Sequence, residues 1–251
     1  MRKNNKTALI TGSNRGLGLK LLQILSENGY DIIACTRSKS PSFLKIIDEV
    51  SKKNNNKIYN LNFDLLNHSD TESSLTQFLN NYKDNVDLLI NNAGILKNSL
   101  MLMTSIKEVE DIFKVNVIST ILVTQIVVKK MIKYKKGNIL NISSISAKEN
   151  NFGRSIYSSS KSAIESITKS LSKELSRFNV RVNCIAPGLI DSEMLKKNTT
   201  EENINKVIRR IASQRLGTFE DISKLILFLA SEDSNYINGQ IISIDGGIYA
   251  D

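Results

Sequence analysis

Lys6-Thr7-Ala8-Leu9-Ile10-Thr11-Gly12-Ser13-Asn14-Arg15-Gly16-Leu17-Gly18 is the stretch that decides the fold. Its first six residues form a short apolar run that predicts a strand, and the run passes without a spacer into three closely spaced glycines. Leu19, Leu21, Leu22, Ile24 and Leu25 then recur at helical spacing as far as Asn28-Gly29, where a helix is expected to stop. A strand, a glycine-rich turn and a helix in direct succession make a phosphate-binding unit. Glycines let the backbone approach the phosphate, and the N–H groups of the first helical turn point at it. The spacing here is Thr-Gly-x-x-x-Gly-x-Gly, which differs from Gly-x-Gly-x-x-Gly. A glycine turn alone can be only a tight turn; its place between strand and helix makes it a nucleotide site.

The next strand, Asp31-Ile32-Ile33-Ala34-Cys35, ends in Thr36-Arg37-Ser38. About 20 residues past the glycines, sheets that take an unphosphorylated ribose carry an acidic residue for the 2′-hydroxyl. Arg37 stands there instead. A guanidinium pairs bidentately with a 2′-phosphate, and Arg15 can join it, so NADP(H) is the expected cofactor.

Strand and helix patterns then alternate to the end of the chain. Helices are expected over 41–53, 69–82, 106–133, 158–178 and 220–230, and strands over 57–63, 87–90, 138–142, 180–186 and 240–244. Asp64-Leu65 closes the third strand, where a carboxylate can accept from an adenine amino group. Asn91-Asn92-Ala93-Gly94 closes the fourth, at the strand edge where open α/β sheets bind ligands. Asn116 interrupts an apolar helical stripe and is either a buried structural hydrogen-bonder or a functional amide. Pro187-Gly188 breaks the sixth strand. The charged segment 189–215 suits a mobile lid. The alternation predicts an α/β fold over 1–251, one domain with a doubly wound parallel sheet of about seven strands covered on both faces.

Ile142-Ser143-Ser144 and Ile156-Tyr157-Ser158-Ser159-Ser160-Lys161 carry the chemistry. Tyr157 and Lys161 are four residues apart, a spacing that puts both on one helical face. An ammonium beside a phenol favours the phenolate, so a tyrosine so placed can exchange a proton near neutral pH. Ser144 closes the fifth strand, where its hydroxyl can bond the oxygen of the same substrate. Tyr-x-x-x-Lys by itself is also a commonplace packing pair; the rest of the chain gives it meaning.

Composition excludes other classes. The formal charge is +9, yet Lys and Arg are interleaved with Asp and Glu and Trp is absent, so no stacking platform for nucleic acid is present. The denser cluster Lys129, Lys130, Lys133, Lys135 and Lys136 sits at a helix end, where lysines complement the dipole. It is either a solvated end or a docking patch for an acidic partner. Cys35 and Cys184 lie in apolar strands and read as core residues. His68 is the only histidine and has no companion ligand, so no metal is expected. No apolar run reaches the roughly 18–20 residues of a membrane span, and the basic start Met1-Arg2-Lys3-Asn4-Asn5-Lys6 leads into no signal-peptide core. A cytoplasmic protein bound to neither membrane nor nucleic acid is expected.

Taken in order, Thr11-Gly12-x-x-x-Gly16-x-Gly18, Asp64, Asn91-Asn92-Ala93-Gly94, Asn116, Ser144, Tyr157-x-x-x-Lys161 and Pro187-Gly188 resemble the short-chain dehydrogenase/reductase family over essentially the whole chain. The resemblance implies a Rossmann-type fold and a catalytic tetrad. Tyr157 would be the general acid/base and Ser144 would hold the substrate oxygen. Lys161 would bind the nicotinamide ribose, and Asn116 would anchor a water in the proton relay. It also implies cofactor contacts from Gly12, Asn14, Arg15, Gly16, Leu17 and Gly18 in the first turn, and from Arg37, Asp64 and Leu65 at the adenosine end. Asn92, Ala93, Gly94, Tyr157, Lys161, Pro187, Gly188 and Ile190 complete that set.

Within the family the chain is most similar to bacterial 3-oxoacyl-acyl-carrier-protein reductases of fatty acid biosynthesis, through Arg181-Val182-Asn183-Cys184-Ile185-Ala186-Pro187-Gly188, Tyr236-Ile237-Asn238-Gly239-Gln240 and Asp245-Gly246-Gly247. Such enzymes use NADPH, assemble as tetramers and meet an acidic carrier, which would give Lys129, Lys130 and Lys173 a purpose. One departure stands out. Where those reductases often carry Gly-Gln-x-Asn ahead of the tyrosine, this chain has Gly153-Arg154-Ser155-Ile156. Arg154 would bring positive charge to the substrate rim beside Ser144 and Tyr157, which leaves room for a keto-sugar or other polar ketone of surface polysaccharide synthesis. A silent NADP(H)-binding module is the remaining alternative, and the intact tetrad argues against it.

Overall fold

The structure, a computed structural model, describes residues 5–149 and 152–248. Residues 1–4 of the basic start, 150–151 of the loop ahead of Tyr157, and 249–251 lie outside the described residues. In chain order the elements are β1 (Lys6–Thr11), α1 (Gly16–Glu27), β2 (Tyr30–Thr36), α2 (Pro41–Asn54), β3 (Ile58–Asn62), α3 (His68–Asn81), β4 (Leu88–Asn91), α4 (Ile106–Phe113), α5 (Ser119–Tyr134), β5 (Gly137–Ile142), α6 (Ser155–Ser176), β6 (Val180–Pro187), α7 (Glu193–Asn198), α8 (Glu201–Ile208), α9 (Phe219–Ala230) and β7 (Ile241–Ile244).

The seven strands form one sheet in the order β3-β2-β1-β4-β5-β6-β7, and every pairing is parallel. Successive side chains of a strand point to opposite faces. Ala8 and Ile10 accordingly pack under α1, α2 and α9 with Leu21, Leu25, Phe43 and Ile226. Leu9 packs on the other face, with Leu75 of α3, Val127 of α5 and Leu175 of α6. Both faces are covered, which is why the strands read as unbroken apolar runs. The chain moves from β1 outward to β3 and then returns to β4 on the other side. This reversal opens a crevice at the carboxyl ends of β1 and β4.

Local signals set the helix starts. Ser40, with Pro41 at the first helical position, caps α2, and Asn67 caps α3. Ser105 and Thr218 form capping boxes at α4 and α9. Two expectations need correction. Helix α6 starts at Ser155, three residues earlier than 158, directly after the turn at Gly153, whose φ is +73°. The region expected as one α-helix over 106–133 contains a π-helical turn, Lys114–Ile118, between α4 and α5. No single apolar run is long enough to span a membrane, but the continuous helical stretch Ile106–Tyr134 meets that test by length and composition. Half of its apolar window is buried in the fold, against α3 and the sheet.

Candidate active site

The glycine turn is built by close approach. Gly12 takes φ +70° and its N–H donates to Cys35 O at 2.9 Å. A Cβ on Gly18 would lie 2.1 Å from Gly12 O, so only glycine lets α1 begin this close to β1. Thr11 then ties β1 to the chain leaving β4. Its Oγ1 accepts from the N–H groups of Asn92 and Ala93, both at 3.0 Å, while Asn92 Nδ2 donates to Thr11 O at 2.9 Å. The crevice edge is therefore rigid, and its glycines leave a cradle that a Cβ would fill, as close approach of a dinucleotide backbone requires. Asn14 and Arg15 are exposed at the turn, Leu17 packs into the core beneath it, and Arg37 is exposed at the end of β2.

At the adenosine end, Asp64 is partly buried. Its N–H donates to Asp70 Oδ2 and its Oδ1 accepts from Leu66 N–H at 3.0 Å. Leu65, Ala93 and Val115 lie together beneath Thr11. Pro187 ends β6 beside Ile244, and Gly188 N–H donates to Ile244 O at 2.9 Å. A Cβ on Gly188 would lie 2.7 Å from Asp245 Cα, so this residue too must be glycine. Ile190 bridges to Gly217 where the charged segment leaves and rejoins the body.

Two side chains, Lys161 and Asn116, converge at Gly94. Lys161 is only 5% exposed, and its Nζ donates to Ile142 O at 2.8 Å while lying 5.8 Å from the Tyr157 ring centroid. Asn116, 1% exposed, clamps Ile95 at two points: Oδ1 accepts from Ile95 N–H at 2.8 Å and Nδ2 donates to Ile95 O at 3.0 Å. The same Nδ2 donates to Ser160 Oγ at 3.0 Å, beside Lys161. A Cβ on Gly94 would stand 3.3 Å from Asn116 Oδ1 and 3.4 Å from Lys161 Nζ. The π turn aims Asn116 inward, since the extra residue rotates the helix locally. Ser144 follows β5, and its Oγ accepts from Ser146 N–H at 3.2 Å. Arg154 sits at the N-cap position of α6 without a capping bond, and its Nε donates to Asn98 Oδ1 at 3.2 Å.

Asn91 and Ser143, read from the sequence only as members of strand-end motifs, take up specific buried partners. Asn91 is the last residue of β4, and its Nδ2 donates to Asn141 Oδ1 and Thr124 Oγ1. Ser143 Oγ donates to Glu165 Oε1 at 3.0 Å, one turn past Lys161 on α6. The available signal was a polar residue inside an apolar strand run. Of the lysine cluster, Lys130 bonds Tyr82 O and lies against the Tyr82 ring, and Lys136 approaches Asp87 at 3.7 Å. Lys129, Lys133 and Lys135 remain exposed. No group of three or more His, Cys, Asp or Glu among the described residues is placed to hold a metal ion.

The family model for short chain dehydrogenase matches residues 6–203. A 3-oxoacyl-acyl-carrier-protein reductase of Buchnera aphidicola is 36% identical over 249 residues, covering 99% of each chain. The reductase of the same name from Aquifex aeolicus is 35% identical with the same coverage. A crystal structure of a gluconate 5-dehydrogenase from Burkholderia cenocepacia, in complex with NADP and tartrate, superposes with a TM-score of 0.90 at 26% identity, over 98% of this chain and 96% of that one. With the glycine cradle, the crevice and the converging side chains in place, the chain belongs to the short-chain dehydrogenase/reductase family and is an NAD(P)-dependent oxidoreductase.

Proposed function

We propose that this protein is an NADPH-dependent carbonyl reductase whose substrate is a 3-oxoacyl thioester presented on an acyl-carrier protein. The observation that carries the proposal is the convergence of Lys161, Asn116 and Gly94 beside the Tyr157 ring at the carboxyl ends of β4 and β5. Two relatives bearing that reductase name and matching end to end support the substrate.

Bound in the crevice, the nicotinamide would supply the hydride. Tyr157 hands its hydroxyl proton to the ketone oxygen, and Lys161 puts a positive charge where the phenol oxygen becomes negative. Ser144 donates to the same ketone oxygen and fixes its direction. Asn116 holds the loop at Ile95 and keeps Lys161 aligned through Ser160. The cradle of Gly12, Gly16 and Gly18 takes the pyrophosphate, with Asn14 and Leu17 at its rim. Asp64 and Leu65 take the adenine, and Asn92, Ala93 and Gly94 follow the ribose. Pro187, Gly188 and Ile190 flank the nicotinamide. Arg15 and Arg37, both exposed at the crevice mouth without a neighbouring carboxylate partner among the described residues, favour a 2′-phosphate.

Segment 189–215 acts as the lid. Its neck is held by Gly217 N–H to Leu189 O and by Asp191 N–H to Gly217 O, both at 2.9 Å, while α7 and α8 lie between. Lys129, Lys133, Lys135 and Lys173 are exposed and suit an acidic carrier in the cytoplasm. Ile106 is 74% exposed and Ile118 45%, apolar surface that a homotetramer would cover. The test is NADPH oxidation with acetoacetyl-acyl-carrier-protein, run beside acetoacetyl-CoA and NADH. Fast, NADPH-selective turnover is expected, and cofactor binding without turnover of either thioester refutes the substrate. A keto-sugar reductase is the second reading, favoured by Arg154 and by the sugar-acid dehydrogenase with the same fold.

A further inference from the structure

Arg154 stands one turn ahead of Tyr157, and Ser158 N–H donating to Arg154 O at 2.8 Å closes that turn. Arg154 occupies the N-cap position with a non-helical backbone (φ −124°, ψ 15°), directly ahead of the helix whose shared face carries Tyr157 and Lys161. The Arg154 side chain is half-buried. Its Nε is fixed on Asn98 Oδ1 at 3.2 Å, and Ser99 N–H donates to Gly153 O at 2.9 Å beside it. The loop after β4 therefore holds the guanidinium in place. Arg215 forks onto Asp221, and Arg181 donates to the carbonyls of Leu229, Ser231 and Ile237. Arg154 is different: among the described residues its Nη groups meet no acceptor and no carboxylate pairs with it. A planar fork with one edge anchored and the other open, partly out of water, is built for a carboxylate.

We infer that Arg154 receives an anionic group of the substrate carried close to the reacting carbonyl, since it borders the start of the helix that bears Tyr157 and is anchored on the loop that leaves Gly94. This chain therefore reduces free 3-oxo carboxylates in addition to thioesters. The inference rests on the reductase reading above and extends its substrate class. A thioester offers a single neutral oxygen at that place; a carboxylate offers two charged ones. In the reaction the π bond of the ketone breaks, a C–H bond forms with the hydride given up by NADPH, and an O–H bond forms with the Tyr157 proton. The products are a 3-hydroxy carboxylate and NADP+, and Tyr157 regains its proton from solvent.

The test compares acetoacetate with ethyl acetoacetate, its neutral ester, for wild type, Arg154→Gln and Arg154→Lys. Loss of a charge-assisted fork lowers kcat/KM for acetoacetate about 10- to 100-fold more than for the ester in Arg154→Gln. Arg154→Lys restores part of the loss. Calorimetric binding of 3-hydroxybutyrate against its ethyl ester gives the same pattern without turnover. Equal losses on acid and ester, or wild-type turnover of the ester without the acid, overturn the inference and leave the reductase reading standing. No reduction of ketone or thioester by a protein that binds NADPH overturns both.

Discussion

Replacing Gly18 by alanine tests whether the crevice is built as described. Gly18 lies in the first turn of α1, outside the left-handed region, so alanine is conformationally allowed there. Helix propensity alone favours the change by about 1 kcal/mol. Sterics oppose it. The new methyl group would sit 2.1 Å from Gly12 O, 2.9 Å from Gly12 C and 2.7 Å from Asn92 Nδ2. Carbon and oxygen ordinarily keep about 3.3 Å apart, so backbone must move by roughly 1 Å. Gly12 cannot yield easily, because its N–H is committed to Cys35 O and its other side faces Ala93. Overpacking costs about 1–3 kcal/mol, and losing the Asn92 bonds to Thr11 O and Gly12 O costs about 0.5–1.5 kcal/mol each. The net expectation is a loss of about 1–5 kcal/mol, with sharply weaker NADPH binding.

Gly29→Ala is the matched control. Gly29 has φ +81° and nothing within 4 Å of a built Cβ, so the cost is the left-handed backbone alone, about 1–2 kcal/mol. It lies at the far end of α1, and NADPH affinity stays unchanged. Urea unfolding measures the stabilities and NADPH fluorescence titration the affinities. A Gly18→Ala protein as stable as wild type with unchanged affinity refutes the close approach. A destabilised protein with unchanged affinity refutes the link between cradle and cofactor.

Tyr157→Phe keeps the ring beside Lys161 and removes the proton, so turnover falls by about 100-fold or more while NADPH titration stays within about threefold of wild type. Cys35 and Cys184 are 1% and 0% exposed, and burial pushes the Cys184 thiol up to about 12 and raises Cys35 as well. Thiolate is the reactive form, so at pH 8 a thiol reagent labels both only as fast as the protein opens, and rapid native labelling contradicts this. The Arg215 fork, then the Thr218 backbone and hydroxyl, hold the Asp221 carboxyl well below the usual carboxylate range. A lowered folded pKa adds stability above the unfolded value near ~4 and loses it as pH falls below that value. The stability gap between wild type and Asp221→Asn is therefore constant above about pH 5 and narrows below about pH 4; a gap independent of pH down to 3 refutes the assignment.

The sheet was legible because each strand is buried on both faces. Apolar runs between glycine and asparagine punctuation gave strands within a residue or two, and the helix expected from Pro41 starts there. The π turn was illegible. Lys114-Val115-Asn116-Val117-Ile118 keeps helical periodicity, and what unwinds it is tertiary: Ser119 Oγ donates to Leu65 O and Lys114 O, and His68 Nε2 lies 3.4 Å from Lys114 O. The start of α6 was misplaced because serine weakly favours both helix and turn, and contact with Ser99, three elements away, decides where Gly153 turns. Residues 189–215 read as charged and locally helical, and α7 and α8 lie there, but their bounds and anchoring were not legible. Their two short helices and the anchoring of Ile211, 1% exposed and bridged to Ile248, depend on a chain end that is far away in sequence.

What places the converging side chains is a line of buried polar residues, and apolar burial cannot do that work. Hydrophobic burial is non-directional and would leave α5 and α6 free to slide on the sheet. Asn91 Nδ2 reaches Asn141 Oδ1 at 2.8 Å and Thr124 Oγ1 at 3.0 Å, tying β4 to β5 and to α5. Asn141 Nδ2 reaches Thr168 Oγ1 at 2.9 Å, and Thr168 Oγ1 donates to Ile164 O, tying β5 to α6. All four polar residues are at most 5% exposed, so a slip of either helix by one residue would strand amide groups in the core at about 1–3 kcal/mol each. Lys161 stands seven residues ahead of Thr168, on the face of α6 that meets the sheet. Asn116 stands eight residues ahead of Thr124, on the helical stretch that runs into α5. Pinning Thr124 and Thr168 thus fixes where Asn116 and Lys161 meet at Gly94. The apolar runs of this chain specify the sheet, and the polar exceptions inside them specify the register of the site.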